Sequence, residues 1–359
     1  MNNQDCLKLT TYFGERDRVD GRLLADELLD IYGGHRVATS ILVRGAEGFG
    51  RLHHLHTDRL LSLSEDLPVM SIAVDRRDRI EAMLEPVLQV KQRGLISLER
   101  ARLLTGEIHQ VELPEHLHEA TKLTVYVGRQ ERVYGMAAYA AVCDLLYRHG
   151  IAGATVLLGV DGTLHGRRQR ARFFGRNAEV PMMIIAVGGG ETISRVLPEL
   201  GGLLHSPLLT LERVRVCKRD GQLLAQPHEL PATDEKGLGM WQKLMVYCSQ
   251  SATVEGRPLA LEIIRRLRES DASGATSLRG IWGFHGDHAP HGDRFFQMRR
   301  HVPVLVTSVN TPEQTADAFS IIDELTAKQG LVTSEMVPAM SAMSADQTVG
   351  GLTLADHDF

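Results

Sequence analysis

The sequence lacks most features that mark secreted, membrane-spanning or metal-finger proteins. Its 359 residues include only four cysteines, which form neither a CxxC pair nor a zinc-finger spacing. Scattered thiols of this kind predict a reduced, cytoplasmic protein. The first residues lack a basic segment followed by an apolar one, so no signal peptide is predicted. No apolar run approaches the roughly 20 residues needed to cross a bilayer.

Strong charge and recognisable catalytic motifs are also missing. The formal net charge is −5 at pH 7, which argues against a nucleic-acid partner held by charge. No GxxxxGK[ST] pattern occurs, and no Ser/His/Asp arrangement can be identified. We therefore expect a binding protein, neither an enzyme nor a nucleic-acid binder.

The sequence has instead one pattern that occurs three times. A strand-like segment begins each copy at Lys8, Lys122 and Lys243, and a proline-led apolar run follows at Pro68, Pro181 and Pro303. A fixed internal period means that each copy is one structural unit. We predict three domains of about 100 residues, at residues 5–105, 120–217 and 240–340. The last residues, 341–359, show no period and are predicted to be a flexible tail.

Each copy shows the same order of periodicities. Alternating and helical patterns follow one another as β-α-β-β-α-β, which is the ferredoxin-like split unit with two helices on one face of an antiparallel sheet. In the third copy, the segment from Thr311 to Gln314 predicts a capping box at the start of the second helix. The open face of each sheet needs a cover, and the other two copies can provide it. The predicted fold class is α+β, with three tandem ferredoxin-like domains.

Three segments of the first copy resemble a known family. VRGAEGFG at residues 43–50, His56-Thr57, and LSEDLPV at residues 63–69 closely resemble the PII-like proteins catalogued as domain of unknown function 190. GFGR at residues 48–51 is similar to the base of the T-loop in nitrogen-regulatory PII proteins. The likeness covers nearly all of residues 7–104, and the other two copies match more loosely.

The resemblance implies an assembly and a function. PII-like proteins are typically trimers of one ferredoxin-like domain, so one chain with three copies is expected to be a pseudo-trimer. They bind small effectors, often adenine nucleotides, in the clefts between subunits and act as sensors. A protein target such as a membrane transporter or channel is the implied partner, and no cofactor is required. Further dimerisation of the pseudo-trimer stays open.

The glycine-containing loop after the second strand of each copy carries the candidate ligand residues. Glycine amides can approach an anion, and arginines can pair with phosphate oxygens. The loops at 44–67, 159–180 and 279–302 would change order on binding. Alternatively, the glycines only end strands and make turns. The candidates are Arg44, Gly45, Gly48, Phe49, Gly50, Arg51, His56, Gly159, Gly162, Arg279, Gly280, Gly283 and Phe284.

Histidines in two of these loops offer a different function. Neutral imidazoles this close together can hold Zn, Cu or Ni, and the alternative is a mobile polar loop. The candidates are His53, His54, His56, His285, His288 and His291. A metal-binding protein like the cation-tolerance trimers, and a structural adaptor without a ligand, are thus the alternatives to the effector-binding regulator. The second loop is basic instead, with Arg167, Arg168, Arg170 and Arg172 available for an acidic partner or phosphate.

Overall fold

The computed structural model describes most of the chain. The described residues are 2–50, 56–57, 66–91, 93–108, 120–168, 180–270, 272–285, 290–292, 302–344 and 347–356. Among them, no helix is both long and apolar enough to cross a membrane.

Each repeat contributes two helices and a set of long and short strands. The first repeat comprises β1 (Asn2–Gly14), β2 (Arg18–Val19), β3 (Arg22–Leu23), α1 (Leu24–Gly34), β4 (Thr39–Arg44), β5 (Glu47–Phe49), β6 (His56–Thr57), β7 (Pro68–Arg76), α2 (Arg77–Val90) and β8 (Gly94–Thr105). The second comprises β9 (Thr121–Gly128), β10 (Arg132–Val133), β11 (Met136–Ala137), α3 (Ala138–Arg148), β12 (Gly153–Leu158), β13 (Asp161–Leu164), β14 (Arg167–Arg168), β15 (Pro181–Gly188), α4 (Gly190–Leu203) and β16 (Leu208–Arg213). The hairpin strands β17 (Arg215–Arg219) and β18 (Gln222–Leu223) follow it. The third comprises β19 (Trp241–Ser249), β20 (Thr253–Val254), β21 (Arg257–Pro258), α5 (Leu259–Glu269), β22 (Ala275–Arg279), β23 (Trp282–His285), β24 (His291–Gly292), β25 (Pro303–Asn310), α6 (Pro312–Leu325), β26 (Leu331–Val337), β27 (Ala339–Ser344) and β28 (Gln347–Gly351).

The long strands of each repeat form one antiparallel sheet. Their spatial order is β4-β7-β1-β8 in the first repeat, β12-β15-β9-β16 in the second and β22-β25-β19-β26 in the third. The two helices of each repeat pack together and cover one face, where each repeat has its own apolar core. The predicted capping box is present: Thr311 Oγ1 accepts from Gln314 N at 3.2 Å, and Gln314 Oε1 accepts from Thr311 N at 3.2 Å.

Short strands tie the repeats together in a closed cycle. The loop strand β13 of the second repeat pairs with β4 of the first, β23 of the third pairs with β12 of the second, and β5 of the first pairs with β22 of the third. Each repeat therefore gives one strand to a neighbour and receives one from the other. Backbone hydrogen bonds across these edges leave fewer strands exposed.

A second cycle runs through the last strand of each repeat. The end of β8 pairs with β16, β17 pairs with β26, and β27 pairs with the start of β8. The predicted flexible tail is corrected by this pairing: residues 341–344 and 347–351 lie in β27 and β28, and Ala355 is fully buried. The free edge of β8 pairs with a segment whose own sequence has no strong preference for a strand or a helix.

The uncovered faces of the three sheets meet in a shared core. Apolar residues from all three repeats pack there, and its centre is a ring of six charged side chains, which we call the Lys–Glu ring. Within each repeat the lysine pairs with the glutamate of its own last strand, at 2.7 Å for Lys8–Glu99, 3.0 Å for Lys122–Glu212 and 2.8 Å for Lys243–Glu335. Each lysine also pairs with a second repeat, in the contacts Lys8–Glu212, Lys122–Glu335 and Lys243–Glu99.

The ring is closed, neutral and almost completely buried. Its side chains are between 2% and 7% exposed. Burial alone would raise the pKa of Glu99, but Lys243 and Lys8 hold it well below its usual range. Burial alone would lower the pKa of Lys8, but Glu212 and Glu99 raise it. Glu99 and Lys8 therefore stay ionised at neutral pH, whereas burial outweighs the carboxylates of Glu212 and Glu335 at Lys122 and lowers its pKa.

Candidate functional site: a cavity between the second and third repeats

A cavity of about 590 Å³ lies between the second and third repeats. Strand β12 and the end of α3 form one side, and the facing ends of β19 and β26 form the other. Its floor is apolar, with Ile151, Ile185 and Val187 among the lining residues. We call this space the inter-repeat cavity. Its size falls within the roughly 300–1,000 Å³ typical of small-molecule sites.

Aromatic contacts hold the added strand β23 against the second repeat. The rings of Tyr147 and Phe284 meet edge to face with centroids 5.4 Å apart, and those of Tyr139 and Trp282 meet at 5.9 Å. Both tyrosines belong to α3, so one helix face fixes the strand that closes the cavity. Such pairs contribute about 0.5–1.5 kcal/mol beyond their buried area. Tyr147 and Phe284 also supply an aromatic wall to the cavity.

Two arginines and one aspartate add charge to the lining. Arg148 is the last residue of α3, Arg219 is the last residue of β17, and Asp220 begins the turn that follows β17. Arg148 Nε donates to Asp144 O at 3.4 Å, and its charge also attracts the Asp144 carboxylate, although neither cavity guanidinium forms a salt bridge with a described carboxylate. The Asp220 amide donates to Gly330 O at 2.8 Å, which fixes the turn beside the cavity. Two guanidinium groups beside an aromatic wall suit an anionic ligand with an apolar part.

The cavity holds a thiol and a phenol, but neither is activated. Burial raises the pKa of Cys248 to about 12, so the thiol is protonated and poorly nucleophilic at neutral pH. Burial, followed by the nearby carboxylates of Glu335 and Glu212, raises the pKa of Tyr247 well above its usual value.

The first predicted glycine of each loop uses its amide within the fold. The amides of Gly45, Gly159 and Gly280 donate to Pro68 O, Pro181 O and Pro303 O at 2.7, 3.2 and 2.8 Å. The next amide in each loop donates to the neighbouring repeat: Ala46 to Ser277 O, Val160 to Leu42 O and Ile281 to Val156 O. These amides connect strands, so the anion-binding role predicted for the three glycines would require them to leave those bonds.

The second predicted glycine of each loop allows close backbone contact between repeats. A Cβ on Gly48 would lie 2.7 Å from Ala275 O. A Cβ on Gly162 would collide with Ser40 O, and one on Gly283, where φ is +152°, with Ala154 O. All three contacts are with the strand that receives the added one. Close packing of backbones is thus a sufficient physical reason for a glycine at each position.

Gly48→Ala is expected to lower the free energy of unfolding by about 1–3 kcal/mol, because the new methyl group forces β5 away from β22. Gly50→Ala is the matched control, since no atom lies within 4 Å of a Cβ at that position. Urea unfolding followed by circular dichroism measures both. Equal stability of the two variants would contradict the close approach.

The two predicted phenylalanines are anchors in the core of a neighbouring repeat. Phe49 of the first repeat is buried in the core of the third, and Phe284 of the third is buried in the core of the second. The second repeat has Thr163-Leu164 at the corresponding place, and both residues are buried. Phe284 is the one of these anchors that also lines the inter-repeat cavity.

The other predicted residues are dispersed. Arg44 pairs with Glu15 at 2.6 Å on the surface, and Arg279 ends β22. Arg51, His53, His54 and His288 lie outside the described residues, and His56 and His291 are described only as parts of β6 and β24. Of the predicted metal ligands, His285 lines the inter-repeat cavity. In the part of the chain that the structure describes, one group of three side chains lies close enough together to hold a metal ion. It consists of Glu99, Glu212 and Glu335, whose charges the three lysines neutralise.

One arginine of the basic second loop has a clear structural role. Arg168 pairs with Asp161 and Asp26 at 3.0 Å each and also with Asp30. Because Asp26 and Asp30 belong to α1, this side chain fastens the hairpin of β13 and β14 to the first repeat. Arg167 is exposed, and Arg170 and Arg172 lie outside the described residues.

The charged residues of the cavity were not predicted from the sequence. Arg148 ends a helix, where a basic residue is ordinary, and Arg219 lay in a segment interpreted as a polar linker. The Asp220-Gly221 pair is a hairpin signal that marks the turn. Nothing in the sequence places that turn beside β26.

Two curated proteins are similar to parts of this chain. UPF0166 protein MJ1524 of Methanocaldococcus jannaschii is 36% identical over 84 residues, which cover 23% of this chain and 76% of that protein. A UPF0166 protein of Aquifex aeolicus is 28% identical over 95 residues, covering 26% of this chain and 88% of that protein. Each alignment thus has about the length of one repeat.

The family DUF190, described as "Uncharacterized ACR, COG1993", matches the chain three times. The matched residues are 6–103, 120–216 and 241–339. These segments hold the three sheets and six helices described above. The chain therefore belongs to the DUF190 family and carries three copies of its domain.

Proposed function

We propose that this protein is a PII-like binding protein whose three ferredoxin-like repeats act as a single-chain trimer. The two closed cycles of strand pairing and the Lys–Glu ring support this arrangement, because each repeat contacts both others in the same rotational sense. The protein senses a small effector and transmits its presence to a protein partner. Its role is binding, without catalysis.

The inter-repeat cavity is the proposed effector site. One observation carries the proposal: Arg148 and Arg219 lie at the same cavity, and neither forms a salt bridge with a described carboxylate. An adenine nucleotide fits these requirements, since its phosphates pair with guanidinium groups and its base packs on the wall of Tyr147 and Phe284. His285 is the last residue of β23, within the third loop, and lines the cavity, so binding would be sensed in that loop.

The repeats predict one such site in each chain. Tyr147 and Arg148 occupy the last two positions of α3, and the same positions hold Gly33-Gly34 in α1 and Arg268-Glu269 in α5. The first repeat thus lacks both the aromatic ring and the guanidinium, and the third places a carboxylate where Arg148 stands. Three equivalent sites would require equivalent side chains.

Calorimetric titration with AMP, ADP, ATP and cyclic AMP tests the proposal. We expect at least one of them to bind, and Arg148→Ala and Arg219→Ala each to weaken it at least tenfold, as the loss of a charge-assisted contact predicts. Arg77→Ala is the control, because Arg77 is exposed on α2 and pairs with Glu81. Binding unaffected by both cavity variants, or no binding with or without Zn²⁺, would refute the proposal.

A further inference from the structure

The hairpin before the first helix differs in one repeat. In all three repeats a two-residue turn has positive φ at both positions: Asp20-Gly21, Tyr134-Gly135 and Glu255-Gly256, with first φ values of 49°, 49° and 50°. This turn favours Asn or Asp followed by Gly, and an aromatic residue at positive φ is uncommon. Asp20 obeys this rule, Glu255 departs from it with a charged side chain, and Tyr134 departs from it with an aromatic one. Such departures are expected at functional sites.

The residue after the turn has changed together with its partner. Arg22 pairs with Glu27 at 2.7 Å in the first repeat, and Arg257 pairs with Glu262 at 3.4 Å in the third. The second repeat has Met136 at the place of the arginine and Ala141 at that of the glutamate. The whole ion pair has thus been replaced by apolar side chains.

The hairpin of the second repeat therefore has an exposed apolar tip with basic residues beside it. Tyr134 is 93% exposed and Met136 is 44% exposed. Arg129 and Arg132 are also exposed, whereas Glu131, the one acidic residue of the segment 129–136, accepts a hydrogen bond from the Gly128 amide at 3.0 Å. The Arg132 side chain donates to Gly135 O at 2.8 Å and braces the turn. We call this segment the Tyr134 hairpin.

We propose that the Tyr134 hairpin is a docking element for a protein partner with an apolar pocket rimmed by carboxylates. Tyr, Met and Arg are the residue types enriched in the centres of protein interfaces, where one aromatic anchor fills a pocket. The two exposed arginines supply the charge that an acidic rim complements. The hairpin is braced before binding, so it loses little conformational entropy on association.

A bilayer is a poorer fit to the same surface. Two arginines contribute about 2 kcal/mol of attraction to an anionic membrane, and one tyrosine with one methionine buries little apolar area. The hairpin is also outside the inter-repeat cavity, so this inference does not depend on the effector proposal.

Photo-cross-linking from the hairpin tip identifies the partner. The full-length protein carries p-benzoylphenylalanine at position 134 in cells of its source organism, with the same probe at positions 20 and 255 as matched controls. We expect one discrete protein adduct from position 134, which is absent from the controls and is lost when Met136→Arg restores the residue type of the other repeats. Adducts at all three positions, a second copy of this chain as the adduct, or no adduct would overturn the proposal.

The affinity of the purified partner for variants of the hairpin then tests whether Tyr134 is the docking residue. Tyr134→Asp should weaken its affinity at least tenfold without loss of thermal stability, because Asp20 occupies the same turn in the first repeat. The exposed replacement Glu255→Ala in the third repeat should leave the affinity unchanged. Equal effects of both substitutions, or Tyr134-dependent binding to vesicles of anionic phospholipid in place of the protein, would also overturn it.

Discussion

Lys122→Met is expected to lower the free energy of unfolding by about 3–5 kcal/mol, because it leaves buried carboxylates without their shared partner. Lys122 contacts Glu212 in its own repeat and Glu335 in the third, and all three side chains are nearly inaccessible to solvent. Urea unfolding, followed by the far-ultraviolet circular dichroism of the full chain, measures the loss. A single substitution should thus weaken the whole assembly.

Two further variants separate the ring from a general effect of charge. Lys236→Met removes an exposed partner of Asp356 and should change stability by less than about 0.5 kcal/mol. Adding Glu335→Gln to Lys122→Met restores neutrality within the ring and should recover part of the loss. Lys122→Met with no more effect than Lys236→Met would show that the ring does not hold the repeats together.

The ring also predicts how stability depends on pH. The pKa of Glu99 is depressed in the folded protein, so its contribution is present above the unfolded pKa and is lost as pH falls through the folded value. The pKa of Lys8 is raised, so its contribution is present below the unfolded pKa and is lost as pH rises through the folded value. The contributions of Glu99 and Lys8 should therefore be constant between about pH 5 and 10.

Phe284→Ala is the second substitution with a large expected effect, about 3–5 kcal/mol. Phe284 belongs to the third repeat but is buried in the core of the second, where it packs against Tyr147. The variant should lose stability through both repeats at once, and effector binding should weaken because the aromatic wall of the inter-repeat cavity is gone. Fluorescence and circular dichroism during the same urea titration measure the first effect.

The control is an exposed apolar residue near the same interface. Leu223→Ala should change stability by less than about 0.5 kcal/mol, since 46% of Leu223 is exposed. The parallel variant Phe49→Ala should behave like Phe284→Ala, because Phe49 is buried in the core of the third repeat. Separate unfolding of the third repeat in Phe284→Ala, with the second repeat unchanged, would contradict the exchange of strands.

Local patterns predicted the long elements well. The apolar run that begins at Pro68 forms β7, and the capping box predicted at Thr311 is present. Both features depend on residues that are a few positions apart in the chain, so local sequence patterns are enough to predict them. The assembly depends on distant residues instead: Lys8 and Glu212 are 204 positions apart. A lysine in a strand carries no sign in the sequence that it will be buried.

The loop glycines show why the candidate site was harder to predict. A glycine that lets a phosphate approach and one that lets a neighbouring strand approach need the same property, the absence of Cβ. Gly48 packs against Ala275 O, so close backbone packing already explains it. The cavity arginines come from a helix end and a linker turn, and only the tertiary pairing of β17 with β26 brings Arg219 to the site. Their shared location could not be read from spacing.

The most direct measurement is a crystal structure of the full chain grown with the adenine nucleotide that binds most tightly in titration. We expect one nucleotide per chain, in the cavity between the second and third repeats, with its phosphates at Arg148 and Arg219. Nucleotide density in all three clefts would contradict the single site. Density away from these arginines would contradict the proposed function itself.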